Sequence, residues 1–242
     1  MDRLLTMLDI QEHLDSFKLD SVIDVTIKLH GMPFMCGNLL IDYPKPMYQV
    51  RRFVNNLFHT HIQERSQDYG KVCSANGGAT KDEYASIIYP YLPKGVTVYG
   101  EICGYFNGEQ MIHKGYDYGC GVGNNFLMIH RITEQVAKGV KEYSISEVIT
   151  FTNYVIRAMQ NVGDVNVDRI FNISNVTKYH GTVSGLVSNV DELPDILAKK
   201  CKIDENEPLC VNKVPREGLV VRMYGEDIMN AFKMKSAKFV GR

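Results

Sequence analysis

Lys28, Glu101, Glu217, Lys233 and Lys235 are the side chains whose surroundings single them out for chemistry. Lys28 stands in the alternating stretch Asp24-Val25-Thr26-Ile27-Lys28-Leu29-His30. Strand geometry puts Thr26, Lys28 and His30 on one face and Val25, Ile27 and Leu29 on the other. A lysine on a strand face is ordinarily just a surface charge. It becomes a nucleophile only as the neutral amine, which neighbouring positive charge and partial burial both favour. Lys233 and Lys235 lie two apart in a second strand-like run, so both point to one face, with Phe232 and Met234 on the other. Glu101 interrupts the apolar run VTVYGEICGY and needs a partner or a metal there, because burying a lone carboxylate is costly. Glu217 opens the apolar run Gly218 to Val221. Phe126 offers an aromatic face on which a flat ligand can stack, an interaction of about 1–3 kcal/mol per base in nucleic-acid sites.

Several elements must position these groups. Residues 2–17 carry leucines near helical spacing and predict an amphipathic helix. Strands are predicted over 24–30 and 34–41, with Gly31 and Pro33 between them as a turn. A short helix is expected over 81–89 and a strand over 96–105. A glycine-rich loop spans 107–124, and another strand covers 125–132. Ser144 or Ser146 can cap a helix running to about Asn161, and Ser188 one running to Lys200. The last two predicted strands are 218–223 and 231–235. Hairpin-like strands with interspersed helices indicate an α+β fold of antiparallel sheets flanked by helices rather than alternating βαβ units.

In order and spacing, IKLHG (27–31), VYGEICG (98–104), NNFLMIHRI (124–132), REGLVVR (216–222) and AFKMKSAKF (231–239) resemble five motifs of the covalent lysine nucleotidyltransferases. That superfamily holds ATP-dependent DNA ligases, RNA ligases and mRNA capping enzymes. His30 two residues after the lysine, with Phe34 beyond, is similar to the phage-type nick-sealing and RNA-editing RNA ligases. The resemblance implies a nucleotidyltransferase (ATP-grasp-like ligase) fold over residues 1–242, and the few residues after the last motif lead to the expectation of no OB-fold domain within them. It implies that Lys28 takes AMP from ATP and that His30 serves a phosphate or the leaving pyrophosphate. Lys233 and Lys235 would contact nucleotide phosphates, and Phe126 would stack on adenine. Glu101 would bind the ribose or a metal-bound water, and Glu217 would help hold Mg²⁺ or Mn²⁺. Arg65, in ERSQDYG, is the candidate for the ribose-contacting arginine, with Arg51 and Arg52 as alternatives. The implied partners are RNA ends or a nicked duplex, joined by a protein acting as a monomer. Three positions depart from the pattern. Ile27 replaces the usual glutamate, which leaves adenine recognition to backbone groups. Pro33 replaces an asparagine, and Arg131 an acid. The alternatives are a DNA ligase, a capping nucleotidyltransferase, or a non-catalytic nucleic-acid-binding relic of the fold.

Composition adds exclusions. The chain has 242 residues, 45% of them hydrophobic and 23% charged, which suits a globular protein with a real core. A net charge of −1 gives nucleic-acid binding no bulk support, although a local basic groove remains open. Six cysteines include no CxxC pair, which argues against a zinc ribbon and for reduced thiols. His59 and His61 lack a third ligand and receive no role. With no apolar run of membrane-spanning length and no signal-like start, a cytosolic protein is expected.

Overall fold

The computed structural model describes residues 7–44, 48–58, 65–74, 78–137, 139–224 and 230–240. Their elements, in chain order, are β1 (Leu8–Asp9), β2 (Val22–Lys28), β3 (Met32–Pro44), α1 (Tyr48–Phe58), β4 (Arg65–Cys73), α2 (Gly78–Ile88), β5 (Val96–Gly104), β6 (Asn125–Val136), β7 (Gly139–Glu142), α3 (Ile145–Asn161), β8 (Ile170–Asn172), β9 (Thr177–Thr182), α4 (Leu193–Lys200), β10 (Gly218–Met223), β11 (Asn230–Lys235) and α5 (Ala237–Val240). One sheet has the order β1-β11-β10-β2-β9 and the other β4-β3-β5-β6-β7, with β8 paired to β6. Pairing is antiparallel except at β1–β11 and β6–β8. No helix among the described residues is long and apolar enough to cross a membrane.

The alternation in β2 works as expected on one face. Ile23, Val25 and Ile27 join Leu219, Val221, Phe232 and Met234 in the core. The other face is not solvated. Asp24 and Thr26 are also buried: Thr26 lines a cavity between the two sheets, and Asp24 meets His180 Nδ1 at 2.8 Å.

The predicted helix over 2–17 is overturned in its described part. Leu8 and Asp9 form β1, and Leu14–Ser16 is a single 3₁₀ turn. The edge of β11 is the reason. Leu8 pairs with Phe232, and the Ile10 amide donates to Lys233 O at 3.0 Å, so a long-range ladder replaces the local helix. The helix expected over 81–89 begins earlier, at Gly78, and ends at Ile88 before a 3₁₀ turn that contains Pro90. Ser188 caps nothing. A 3₁₀ turn at Val190–Glu192 leads into α4 instead. The polar strand β9, TKYHGT, has little apolar alternation and could not be read locally, yet it closes the edge of β2.

Ser144 is the true cap of α3. Its hydroxyl accepts from the Glu147 amide while the Glu147 carboxylate accepts from the Ser144 amide, forming a capping box. Val148, Thr152, Val155 and Met159 then recur on the buried face. Ser144→Ala is expected to cost about 1 kcal/mol and to lower Tm by about 2–4 °C, read by thermal denaturation. An unchanged Tm would mean that the cap contributes nothing to α3.

Candidate active site

Sheet register builds the site in rows. Lys28 lies opposite Gly218, which lies opposite Lys235. Thr26, Val220 and Lys233 form the next row, and Asp24, Arg222 and Ala231 the third. Directly paired residues share a face, so both C-terminal lysines stand on the same face as Lys28. Gly218 has φ +156°, and a Cβ there would collide with Met234 O. Only glycine lets β10 approach β11 this closely beside the site.

Glu217 sits at the edge of this row and ties it together. Its Oε1 is 2.7 Å from Lys28 Nζ, and its Oε2 is 3.3 Å from His30 Nδ1. Glu217 is buried. Burial alone would raise its carboxyl, but the adjacent His30 and the charge on Lys28 outweigh it and hold the carboxyl below the usual range. His30 is held in turn. Its amide donates to Tyr118 Oη at 2.6 Å, its ring stacks on His113 at 3.8 Å, and Tyr116 and Phe239 meet it edge-on. Burial, then the adjacent His30, lowers the His113 pKa.

The opposite wall comes from the second sheet. Glu101 and Tyr99 of β5, and Met128, His130 and Arg131 of β6, face Thr26, Lys28, Val220 and Arg222 across a cavity of about 220 Å³. A bulge between Tyr99 and Gly100 shifts the β5–β6 register beside Glu101. Burial pushes Glu101 up to about 7, with Glu217 adding to the rise and Lys28 and Lys81 opposing it. Its Oε2 has no hydrogen-bond partner, and Glu217 Oε2 has none either, the His30 nitrogen at 3.3 Å making only an ion-pair contact. Two buried, unsatisfied carboxylate oxygens are the donor chemistry a hard divalent cation takes. Among the described residues no group of three His, Cys, Asp or Glu side chains could hold a metal unaided, so any ion here would complete its shell from ligand and water.

The far end of the cavity is cationic. Arg222 is buried, donates from Nη1 to Thr26 Oγ1 at 3.0 Å, and places Nη2 3.5 Å from His130 Nδ1. Burial, then the charges on Arg222 and Arg131, hold the His130 pKa down to about 3, so its ring is neutral. Arg131 is occupied differently. It makes two hydrogen bonds to Glu142, at 2.7 and 2.8 Å, with its guanidinium over the Tyr99 ring.

The expected residues are distributed unevenly. Lys28, Ile27 and Glu101 line the cavity. Lys233 is half-buried and Lys235 exposed on the shared sheet face, and neither lines the cavity. Phe126 packs against Phe171 and Tyr118, outside the lining. On its strand, Met128 and His130 reach the cavity instead. Arg65 begins β4 opposite Pro44, and its side chain lies outside the described residues, as do His59 and His61. Sequence reasoning passed over Arg222, His130, His113 and Thr26. For Arg222 a signal existed, because it shares strand parity with Gly218 and Val220.

No family model and no curated protein matches the sequence. The fold is nevertheless shared with solved structures of an RNA ligase from Naegleria gruberi. A lysine-to-methionine variant of that ligase with AMP and manganese aligns with TM-score 0.53 and 12% identity, covering 99% of this chain and 57% of that one. An arginine-to-alanine variant with ATP and manganese gives the same values, and an apo lysine-to-alanine variant aligns at 0.52. This chain therefore spans little more than half of that ligase. Its mixed architecture of antiparallel sheets and helices matches that of these RNA ligase structures.

Proposed function

We propose that the protein is an ATP-dependent adenylyltransferase of the RNA ligase type, built as one catalytic unit over residues 1–242, with Lys28 as the nucleotide acceptor. One observation carries the reading. The Lys28 amine meets the buried carboxylate of Glu217 at the wall of a cavity enclosed by both sheets, with Glu101 on the opposite wall. Lys28 Nζ attacks the α-phosphorus of ATP, a P–N bond forms, and the P–O bond to pyrophosphate breaks. Glu217 Oε1, already 2.7 Å away, positions Nζ, whose ammonium proton passes to solvent before attack. Lys233 and Lys235 offer positive charge to the polyphosphate from the same sheet face. The cavity is smaller than the roughly 300–1,000 Å³ of whole small-molecule sites. It suits the base, held between Val220 on one wall and Met128 and His130 on the other. Ile27 carries the backbone that approaches the base, and Arg65 is the candidate for the ribose. Glu101 and Glu217 would hold Mg²⁺ or Mn²⁺, which when bound neutralises phosphate charge. In the later steps AMP passes from Lys28 to the 5′-phosphate of an RNA end, and a 3′-hydroxyl displaces it to join the strands.

Arg222 favours a second reading. Its guanidinium carries only donors, and paired acceptors such as guanine O6 and N7 suit it better than the adenine N6 edge. That base would point to a capping-type guanylyltransferase. The test is incubation with divalent metal and α-labelled ATP or GTP. An acid-labile, base-stable protein adduct from ATP is expected. An adduct from GTP alone would select the second reading, and no adduct from either would overturn both.

A further inference from the structure

β3 and β4 bring two free cysteines face to face. Cys36 and Cys73 are register partners with Sγ atoms 3.5 Å apart. The Ser74 amide donates to Met35 O at 3.2 Å, so Met35 and Ser74 form a hydrogen-bonded pair and the next pair, Cys36 and Cys73, a non-hydrogen-bonded one. Cα atoms in such pairs are about 4.5 Å apart, within the roughly 4.4–6.8 Å that a disulfide spans. The two thiols are also unlike. Cys36 is fully buried, with Sγ 3.8 Å from Ala85 O, and its hydrogen bond with Cys73, then burial, push its pKa up. Cys73 is half-buried and therefore reachable, and the same hydrogen bond, aided by Lys71, lowers it to about 7 against burial. The other half-buried cysteines, Cys120 and Cys210, are pushed up by burial. The nucleophilic thiol thus stands beside its own resolving thiol.

We propose that Cys36 and Cys73 form a redox modification site, converted by a peroxide to a cross-strand disulfide that pins β4 to β3. The Cys73 thiolate attacks the peroxide, the O–O bond breaks, and a sulfenic acid forms with release of water. Cys36 Sγ then displaces the hydroxyl, which leaves as a second water with the Cys36 proton. The two sulfurs lose two electrons and the peroxide gains them. The link closes the foot of the hairpin whose far end pairs Pro44 with Arg65.

The site is tested on the full chain without nucleotide, so its outcome is independent of the ligase reading. Protein treated with hydrogen peroxide is alkylated, digested without reductant and mapped. The expected product joins the peptides containing Cys36 and Cys73 with loss of two hydrogens, and dithiothreitol restores both thiols. In Cys73→Ser the cross-link disappears and Cys36 remains alkylatable after denaturation. Cys73 trapped as a sulfinic acid with Cys36 free, both thiols still reduced while other cysteines oxidise, or a different pairing would each overturn the proposal.

Discussion

Lys28→Ala is expected to abolish covalent labelling from α-labelled ATP, by at least about 10³-fold, while the fold survives. The magnitude follows from the step itself. Alanine has no lone pair to attack phosphorus, and nothing else in the described cavity lining is a second primary amine. Lys233 and Lys235 lie on the same sheet face but outside the lining, so they make poor substitutes. The substitution has a structural side as well. Glu217 loses the ion pair at 2.7 Å and keeps only His30 at 3.3 Å, which leaves a buried carboxylate undercompensated. Circular dichroism and gel filtration at the labelling temperature separate loss of chemistry from loss of fold. Label persisting in a folded Lys28→Ala protein would remove Lys28 as the nucleophile, and mapping the adduct would name its replacement.

Glu101→Gln should make the protein more stable above neutral pH, even as it damages nucleotide transfer. Burial raises the folded Glu101 carboxyl to about 7 from an ordinary 4.5. Below pH 4.5 it is protonated in both folded and unfolded chains and contributes no pH dependence. Between 4.5 and 7 the unfolded chain releases this proton while the folded chain keeps it. Folded protein then binds more protons, so stability falls as pH rises, and the full penalty is present above 7. The shift corresponds to about 3–4 kcal/mol, or roughly 7–14 °C in Tm. Glutamine keeps the shape and cannot ionise. In chelator-containing buffer, wild type and variant should have similar Tm near pH 4.5 and diverge by pH 8, with the variant higher. Parallel Tm curves across that range would show that Glu101 ionises normally and is not a desolvated carboxylate. Added divalent metal should narrow the gap by stabilising the charged form in wild type alone.

What could be read from the residues was whatever depends on local period. Strand alternation placed Lys28 with Thr26 and His30, and Lys233 with Lys235, because successive side chains on any strand point to opposite faces. Glu101 stood out because a carboxylate in an apolar run implies burial, and Ser144 was one of two candidate caps, with Ser146, because capping is a local signal. Tertiary structure decided everything that needed a neighbouring strand. Local pattern predicted a helix where Leu8 and Asp9 instead complete the edge of β11, since ladder partners more than 200 residues away are invisible to a local window. It offered Phe126 as the base platform, whereas Phe126 packs against Phe171 and Tyr118 and the cavity is lined from the same strand by Met128 and His130. The pairing of β2 with β10 set Glu217 against Lys28 and placed Arg222 at the far end of the same cavity. Periodicity determines which side of a strand a residue faces. Only long-range register determines which residue it faces across the cleft, because that choice is settled by hydrogen bonding and burial summed over whole sheets.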